Sequence, residues 1–86
     1  MVNEDWQNSA TDPVLRLLYE AGIAVSPGAI TLNLQYQLER PPSRSTVTRA
    51  IEGLSDQGLI TKMDPEKPYY TLTEEGEEYA EKNISV

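Results

Sequence analysis

The stretch from Ser43 to Ile60 reads SRSTVTRAIEGLSDQGLI and predicts one amphipathic helix. Its apolar residues are three and four positions apart, which places them on one helix face and predicts that this face packs on a core. Ser43 suits the N-cap, and Gly58 can end the helix in the left-handed conformation. The core-facing residues would be Val47, Ala50, Ile51 and Leu54.

The outer face of this helix is built from residue types that are uncommon on a surface helix. Glu, Lys and Ala hold a helix better than Ser and Thr do, so a face of Ser, Thr and Arg favours contact with a partner. A DNA-reading helix has such an outer face, and a solvated amphipathic helix is the alternative. The outward residues would be Arg44, Ser45, Thr48, Arg49 and Glu52.

The sequence on either side predicts the remaining elements. Residues 59–63 and 69–72 are rich in strand-forming residues, and the polar run 64–68 between them is typical of a β-hairpin tip. Asp12-Pro13 and Ser26-Pro27 each combine an N-cap residue with a proline suited to the first helical turn, which predicts two helices before the central one. After the hairpin, Thr73 suits the N-cap of a last helix, and the acidic run that follows supports this prediction because the helix dipole favours acids in the first turn.

In this order the chain resembles the winged helix-turn-helix family of DNA-binding regulators over residues 11–82. The resemblance implies an α+β, mostly helical fold, with three helices, a two-stranded wing hairpin and a C-terminal helix. More narrowly, the acidic composition and the segment at 27–34 are similar to the haloarchaeal group that includes the phage phi-H repressor. The motifs are Ser43-x-Ser45-Thr46-Val47-x-Arg49-x-Ile51-x-x-Leu54-x-x-x-Gly58-Leu59-Ile60, Tyr70-x-Leu72-Thr73-x-x-Gly76-x-x-Tyr79 and Pro27-Gly28-x-Ile30-x-Leu32-Asn33-Leu34.

Length and composition predict a single small domain. A chain of 86 residues can form one core but not two, so we expect a flexible N-terminal segment at 1–10, the winged-helix domain at 11–83 and a short tail at 84–86. We expect no small-molecule ligand domain. The sequence shows neither a long apolar run that could span a membrane nor an N-terminal leader for export. We therefore expect a cytoplasmic protein.

Several chemistries are excluded by the residues that the sequence lacks. Cysteine and histidine are both absent, which removes disulfides, thiolate metal sites and the usual zinc or general-base arrangements. No motif places two carboxylates together. We therefore expect no catalytic residue, no metal site, no cofactor and no enzyme activity.

The charge balance is the main objection to a DNA-binding function. The chain carries 14 acidic and 7 basic residues, whereas nucleic-acid partners usually select a basic surface. The excess acid lies at the two ends, because residues 38–70 hold five bases and five acids. A halophilic archaeal cytoplasm would account for the acidic ends, since at about 1 M salt the screening length falls to roughly 3 Å. An acidic surface that serves solubility alone is the alternative.

The candidate DNA contacts follow from face and reach. Arg44 and Arg49 suit guanine edges or phosphates, and the shorter side chains of Ser45, Thr46 and Thr48 suit closer polar contacts, unless Thr46 turns inward beside the cap. Ser26 and Pro27 could present a helix start to a phosphate or be a plain helix start. The remaining candidates are Arg40, before the stiff Pro41-Pro42 turn, and Lys62 and Lys67, which flank the wing loop.

These candidates have alternative roles. Lys62 and Lys67 could contact the DNA backbone or protect an edge strand from aggregation, and Arg40 could serve binding or solubility. We expect a sequence-specific transcriptional regulator of double-stranded DNA, of the repressor type, that reads the major groove with residues 44–57 and contacts the backbone with the wing at 60–72. The small core also predicts a homodimer, as do the terminal helix bearing Tyr79 and the apolar residues near the N-terminus, which are Trp6, Val14, Leu17 and Leu18. The alternative is a winged-helix module that binds protein without DNA, through its acidic flanks or its Tyr69-Tyr70 hairpin.

Overall fold

The computed structural model describes residues 6–84, which fold into four helices and one two-stranded hairpin. This order is the predicted one, and it is the arrangement of a winged-helix fold of the α+β class. The helices are α1 (Thr11–Ala21), α2 (Pro27–Gln37), α3 (Arg44–Asp56) and α4 (Glu74–Asn83), and the strands between α3 and α4 are β1 (Ile60–Lys62) and β2 (Tyr70–Leu72).

Three of the helices begin at the predicted hydroxyl caps. The side-chain oxygens of Ser26, Ser43 and Thr73 each accept a hydrogen bond from the backbone amide three residues later, which satisfies a donor that the helix itself leaves free. Gly22 and Gly58 follow α1 and α3 with φ angles of 65° and 75°. In this left-handed region a side chain would be strained, so both glycines end their helices as predicted.

The start of α1 differs from the prediction. The helix begins at Thr11 with Ala10 at the N-cap, rather than with a cap at Asp12. A turn centred on Asn8 starts the helix earlier: Oδ1 of Asn8 accepts from the Ala10 amide at 2.8 Å, and the Asn8 amide donates to Oγ1 of Thr11 at 2.8 Å. Asp12 then lies in the first turn, where the helix dipole still favours its charge.

The core lies between α1, α2 and α3 and is closed by the sheet. α3 packs against α1, α2 and β1, whereas α4 packs against α1 and β2. Burying these aliphatic side chains is the main source of stability, at about 25 cal/mol per Å² of apolar surface. The fully or almost fully buried side chains include Val14, Leu15, Leu18, Ile30, Leu34, Val47, Ala50, Leu54, Ile60 and Ala80.

The hairpin is antiparallel and has an extra partner that the sequence did not predict. Ile60 pairs with Leu72, and Lys62 pairs with Tyr70. Val25, in the loop before α2, exchanges two backbone hydrogen bonds with Tyr70 at 2.8 and 2.9 Å. This bridge attaches the wing to the start of α2, and therefore fixes the hairpin relative to the helix-turn-helix.

Residues on both sides of 11–83 also pack on the domain. Ala10 is fully buried, and the ring of Trp6 meets that of Tyr79 edge to face, with centroids 6.1 Å apart. Ile84, assigned to the tail, is also buried. Their apolar surface drives this packing. Residues 1–5 and 85–86 lie outside the described residues.

The apolar residues of α1 that suggested a dimer face are used inside the domain. Val14, Leu17 and Leu18 are all buried in the core of the same chain, and Trp6 packs on Tyr79 of the same chain. These side chains are therefore not available to a second copy. A homodimer would have to use other residues.

Candidate nucleic-acid interface

The outer face of α3 carries the predicted contacts. Arg44, Ser45, Thr48 and Arg49 are all exposed, and Thr46 is half-buried. The buried stripe on the opposite side of the helix fixes this orientation. The four exposed side chains therefore form one polar surface on the N-terminal half of α3.

The hydroxyl groups at the start of α3 are largely engaged within the helix. Oγ of Ser43 accepts from the Thr46 amide at 3.3 Å and lies 3.2 Å from Oγ of Ser45 and 3.0 Å from Oγ1 of Thr46. Thr46 thus lies beside the N-cap of α3, which is the position given above as the alternative to a DNA contact. The hydroxyl of Thr48 donates to the carbonyl of Arg44 at 3.0 Å, so its oxygen faces outward chiefly as an acceptor.

The two arginines of α3 have different surroundings. A Cβ at Gly28 would lie 3.9 Å from both terminal nitrogens of Arg44, so this guanidinium lies beside the first turn of α2. Arg49 lies on the second turn, five residues further along. The Arg44 guanidinium is therefore the charged group nearest the start of α2 among these two arginines, whereas Arg49 is exposed further along α3.

The start of α2 offers a phosphate fewer amides than predicted. Pro27 has no N–H, and the amide of Ala29 is bound by Ser26 at 3.1 Å. Ser26 thus has the role of a plain helix cap. The charge of Arg44 is the stronger anion-binding feature at this position.

The outer face of α3 changes sign along its length. Glu52 and Asp56 are exposed and lie three and seven residues beyond Arg49, on the same side of the helix. The first two turns are therefore basic and polar, and the last two are acidic. A duplex would meet the N-terminal half most favourably, as in helix-turn-helix proteins, where the N-terminal residues of the reading helix contact the bases.

The wing places its two lysines at the surface. Lys62 is the last residue of β1, and Lys67 lies in the hairpin tip; both are exposed. The acid that starts the tip has a structural role, because Oδ1 of Asp64 accepts from the Glu66 amide and its carbonyl accepts from the Lys67 amide, each at 3.0 Å. Lys67 is therefore held in an ordered turn. Arg40 is exposed in the loop between α2 and α3.

Acidic residues concentrate on α4. All five glutamates of α4 are exposed, and α4 packs mainly against α1 and β2. Asp12 and Glu20 are exposed on α1. This separation reduces the repulsion that the net charge of −7 would impose on a duplex docked at α3.

The glycine within α3 was not among the predicted site residues. Gly53 lies directly against the backbone carbonyl of Trp6, where a Cβ would overlap the oxygen. The sequence carried a signal for this contact, since a mid-helix glycine costs roughly 0.5–1 kcal/mol relative to alanine and therefore suggests a close approach.

Within residues 6–84, no three Asp, Glu, His or Cys side chains are grouped closely enough to hold a metal ion. Over the same residues, none of the helices combines the length and apolar character needed to cross a bilayer.

Comparison with known proteins shows similarity in fold. The chain is similar to the ferric uptake regulator from Francisella tularensis, whose structure was solved with iron, with a TM-score of 0.67 at 20% identity over 86% of this chain. This chain spans 58% of the length of that protein's chain. No protein-family model matches the sequence, and no curated protein matches it. The winged-helix fold is thus common to proteins with little sequence in common.

Proposed function

We propose that the protein is a cytoplasmic transcriptional regulator that binds specific sequences in double-stranded DNA. The observation that carries this proposal is the distribution of positive charge. Five of the seven bases are exposed on α3, on the preceding loop and on the wing. They are Arg40, Arg44, Arg49, Lys62 and Lys67. In a winged-helix fold these elements can approach a duplex together. The N-terminal half of α3 enters the major groove, and the wing contacts the backbone.

Arg49 is the proposed base reader. Its planar guanidinium can donate two hydrogen bonds to O6 and N7 of a guanine, the commonest specific contact in the major groove. Ser45 and Thr48 supply shorter contacts, with the Thr48 oxygen accepting from a base amino group. Arg44, beside α2, contacts a phosphate and fixes the register.

The acidic surface supports action at high salt. Counterion release contributes less to affinity as salt rises, so short-range hydrogen bonds must supply more of it. We propose that the chain is related to the haloarchaeal phi-H repressor-like group, as its sequence resemblance implies, and that it represses by occupying promoter DNA. A homodimer would read two half-sites, one helical turn of DNA or a multiple of it apart.

The test begins with selection of bound sequences from random duplex DNA in molar potassium chloride. A single enriched motif is expected, and a palindromic motif would indicate a dimer. Arg49→Ala should then reduce the affinity for the selected site by about 1–3 kcal/mol, with a smaller effect on scrambled DNA. Arg16→Ala is the matched control, because it removes the same charge from an exposed position on α1.

The outcomes separate the two classes of function. If no sequence is enriched, the alternative function, protein binding without DNA, is favoured. If a sequence is enriched but Arg49→Ala and Arg16→Ala weaken the selected site equally, base reading by Arg49 is rejected.

One feature favours that alternative. An apolar groove of about 370 Å³ lies between the end of α1, the start of α2 and the wing, and Tyr69, which is 46% exposed, lines it. Leu32 and Tyr36 are exposed one turn apart on α2. The side chain of Tyr70, in contrast, packs against the core, and its backbone pairs with Val25. Of the two hairpin tyrosines, Tyr69 is therefore the one available to a partner.

A further inference from the structure

The segment before α1 runs along one side of the reading helix. Thr46 and Gly53 are seven residues apart, which is about two helical turns and places them on the same side of α3. Nδ2 of Asn8 donates to the carbonyl of Thr46 at 3.0 Å, and the carbonyl of Trp6 lies against Gly53. Trp6–Asn8, the N-terminal arm, therefore contacts α3 at two points.

The N-terminal arm is itself anchored at both ends. At its start, the ring of Trp6 packs on Tyr79, and Nε2 of Gln7 donates to the Tyr79 hydroxyl at 3.0 Å. At its end, Oδ1 of Asn8 accepts from the Ala10 amide in the turn that begins α1. The arm thus joins α1 and α4 to the side of α3.

We propose that the N-terminal arm positions α3 for base reading and that Asn8 is the positioning residue. The Arg44 side of α3 is held beside α2, and the arm holds the side that carries Thr46 and Gly53. The buried stripe of α3 sets its orientation, and these two flanking contacts limit rotation of the helix about its axis. A helix with side chains is about 10–12 Å wide, so a 10° rotation would move the tip of a side chain by about 1 Å, enough to misalign a bidentate contact.

This inference rests on the proposed DNA-reading function, and the pair Asn8→Asp and Ser9→Asp tests it. Asn8→Asp keeps the oxygen that accepts from the Ala10 amide but replaces the donor with an oxygen that faces the Thr46 carbonyl. Ser9→Asp adds the same charge at the next position, which is exposed. The readout is the ratio of affinities for the selected site and for scrambled DNA in molar potassium chloride.

Asn8→Asp should lower this ratio by about tenfold, because a misaligned arginine loses part of its bidentate contact with the base. Ser9→Asp should weaken both duplexes equally and leave the ratio unchanged. Without DNA, hydrogen exchange should quicken at the α3 amides in Asn8→Asp and not in Ser9→Asp. A general loss of stability would lower the active fraction for both duplexes and leave the ratio unchanged.

Equal ratios for Asn8→Asp and Ser9→Asp would overturn this inference and leave the proposed function standing. A wild type without any duplex preference would overturn both. Gly53→Ala provides a second variant, because its methyl group would displace the Trp6 carbonyl without adding charge. It should also lower the ratio, and an unchanged ratio in folded Gly53→Ala would count against the arm.

Discussion

The side chain of Tyr19 links α1 to α4. Its hydroxyl, on α1, donates to Oε2 of Glu81 on α4 at 2.8 Å. This hydrogen bond, together with desolvation and the charges of Glu81 and Glu77, raises the pKa of Tyr19 above its ordinary value of about 10. Ionisation would remove the donated proton and place a phenolate beside carboxylates, so the folded state favours the neutral tyrosine.

The raised pKa of Tyr19 predicts a specific loss of stability in alkali. Because the folded pKa exceeds the unfolded one, the contribution of this group is fully present below about pH 10 and is lost as the pH rises through the folded pKa. Tyr19→Phe should make the fall in unfolding free energy above pH 10 less steep. Tyr36→Phe, at a position 83% exposed, is the matched control. Denaturant titrations between pH 8 and 11 provide the measurement; equal slopes for Tyr19→Phe and wild type would contradict the linkage.

Among the elements, the junction between α3, the wing and α4 depends on Thr73. Its hydroxyl donates to the carbonyl of Gly58 at 2.7 Å and accepts from the Gly76 amide at 3.0 Å. Its own amide donates to the Leu59 carbonyl at 3.1 Å. One residue therefore caps α4 and joins it to the segment that follows α3.

Replacing Thr73 tests this junction. Thr73→Val keeps the shape but removes both hydroxyl hydrogen bonds, so it should lower the unfolding free energy by about 1–3 kcal/mol. Thr61→Val makes the same chemical change at an exposed site on β1 and should have little effect. Urea unfolding monitored by circular dichroism measures both. Equal stabilities for the two variants would show that the cap contributes little.

The wing should act as a backbone contact and therefore respond to salt. Lys67→Ala should weaken selected and scrambled duplexes alike and reduce the slope of log affinity against log salt by about 0.9, the value for one phosphate contact on B-DNA. Lys82→Ala removes the same charge from α4, where it is exposed, and should leave the slope unchanged. Binding isotherms at several salt concentrations distinguish them. A slope unchanged by Lys67→Ala would leave edge protection as the role of this lysine.

The elements differed in how well the sequence predicted them. Caps at Ser26, Ser43 and Thr73 were predictable because the cap hydrogen bond spans three residues, a local pattern. The bridge at Val25 was not, because a single paired residue has no periodicity. The bond from Asn8 to Thr46 crosses 38 positions and depends on how α1 and α3 pack. For the candidate site, exposure was predictable from the helical stripe, whereas the internal hydrogen bonds of Thr46 and Thr48 depend on rotamers.

For the whole molecule, the acidic helices make stability depend on salt. Glu74 and Glu78 are four residues apart on α4, as are Glu77 and Glu81, and like charges at this spacing destabilise a helix. The screening length falls from about 10 Å at 0.1 M to about 3 Å at 1 M salt, so repulsion between these side chains should largely disappear. The melting temperature should therefore rise between these concentrations.

One variant, one control variant and a concentration series decide whether screening causes that rise. At spacings of three and four residues, Glu78 has more acidic neighbours than basic ones, so Glu78→Gln removes net repulsion and should raise the melting temperature at low salt more than at 1 M. The acidic neighbours are Glu74, Glu75 and Glu81, and the basic one is Lys82. Glu66→Gln, which removes an acid from the wing tip, should have a smaller effect because α4 is unchanged. Association of a homodimer at high salt would also raise the melting temperature, but mass action would then make it depend on protein concentration. A rise that is independent of concentration and reduced by Glu78→Gln assigns the effect to α4, whereas a flat profile would remove the physical argument for a high-salt environment.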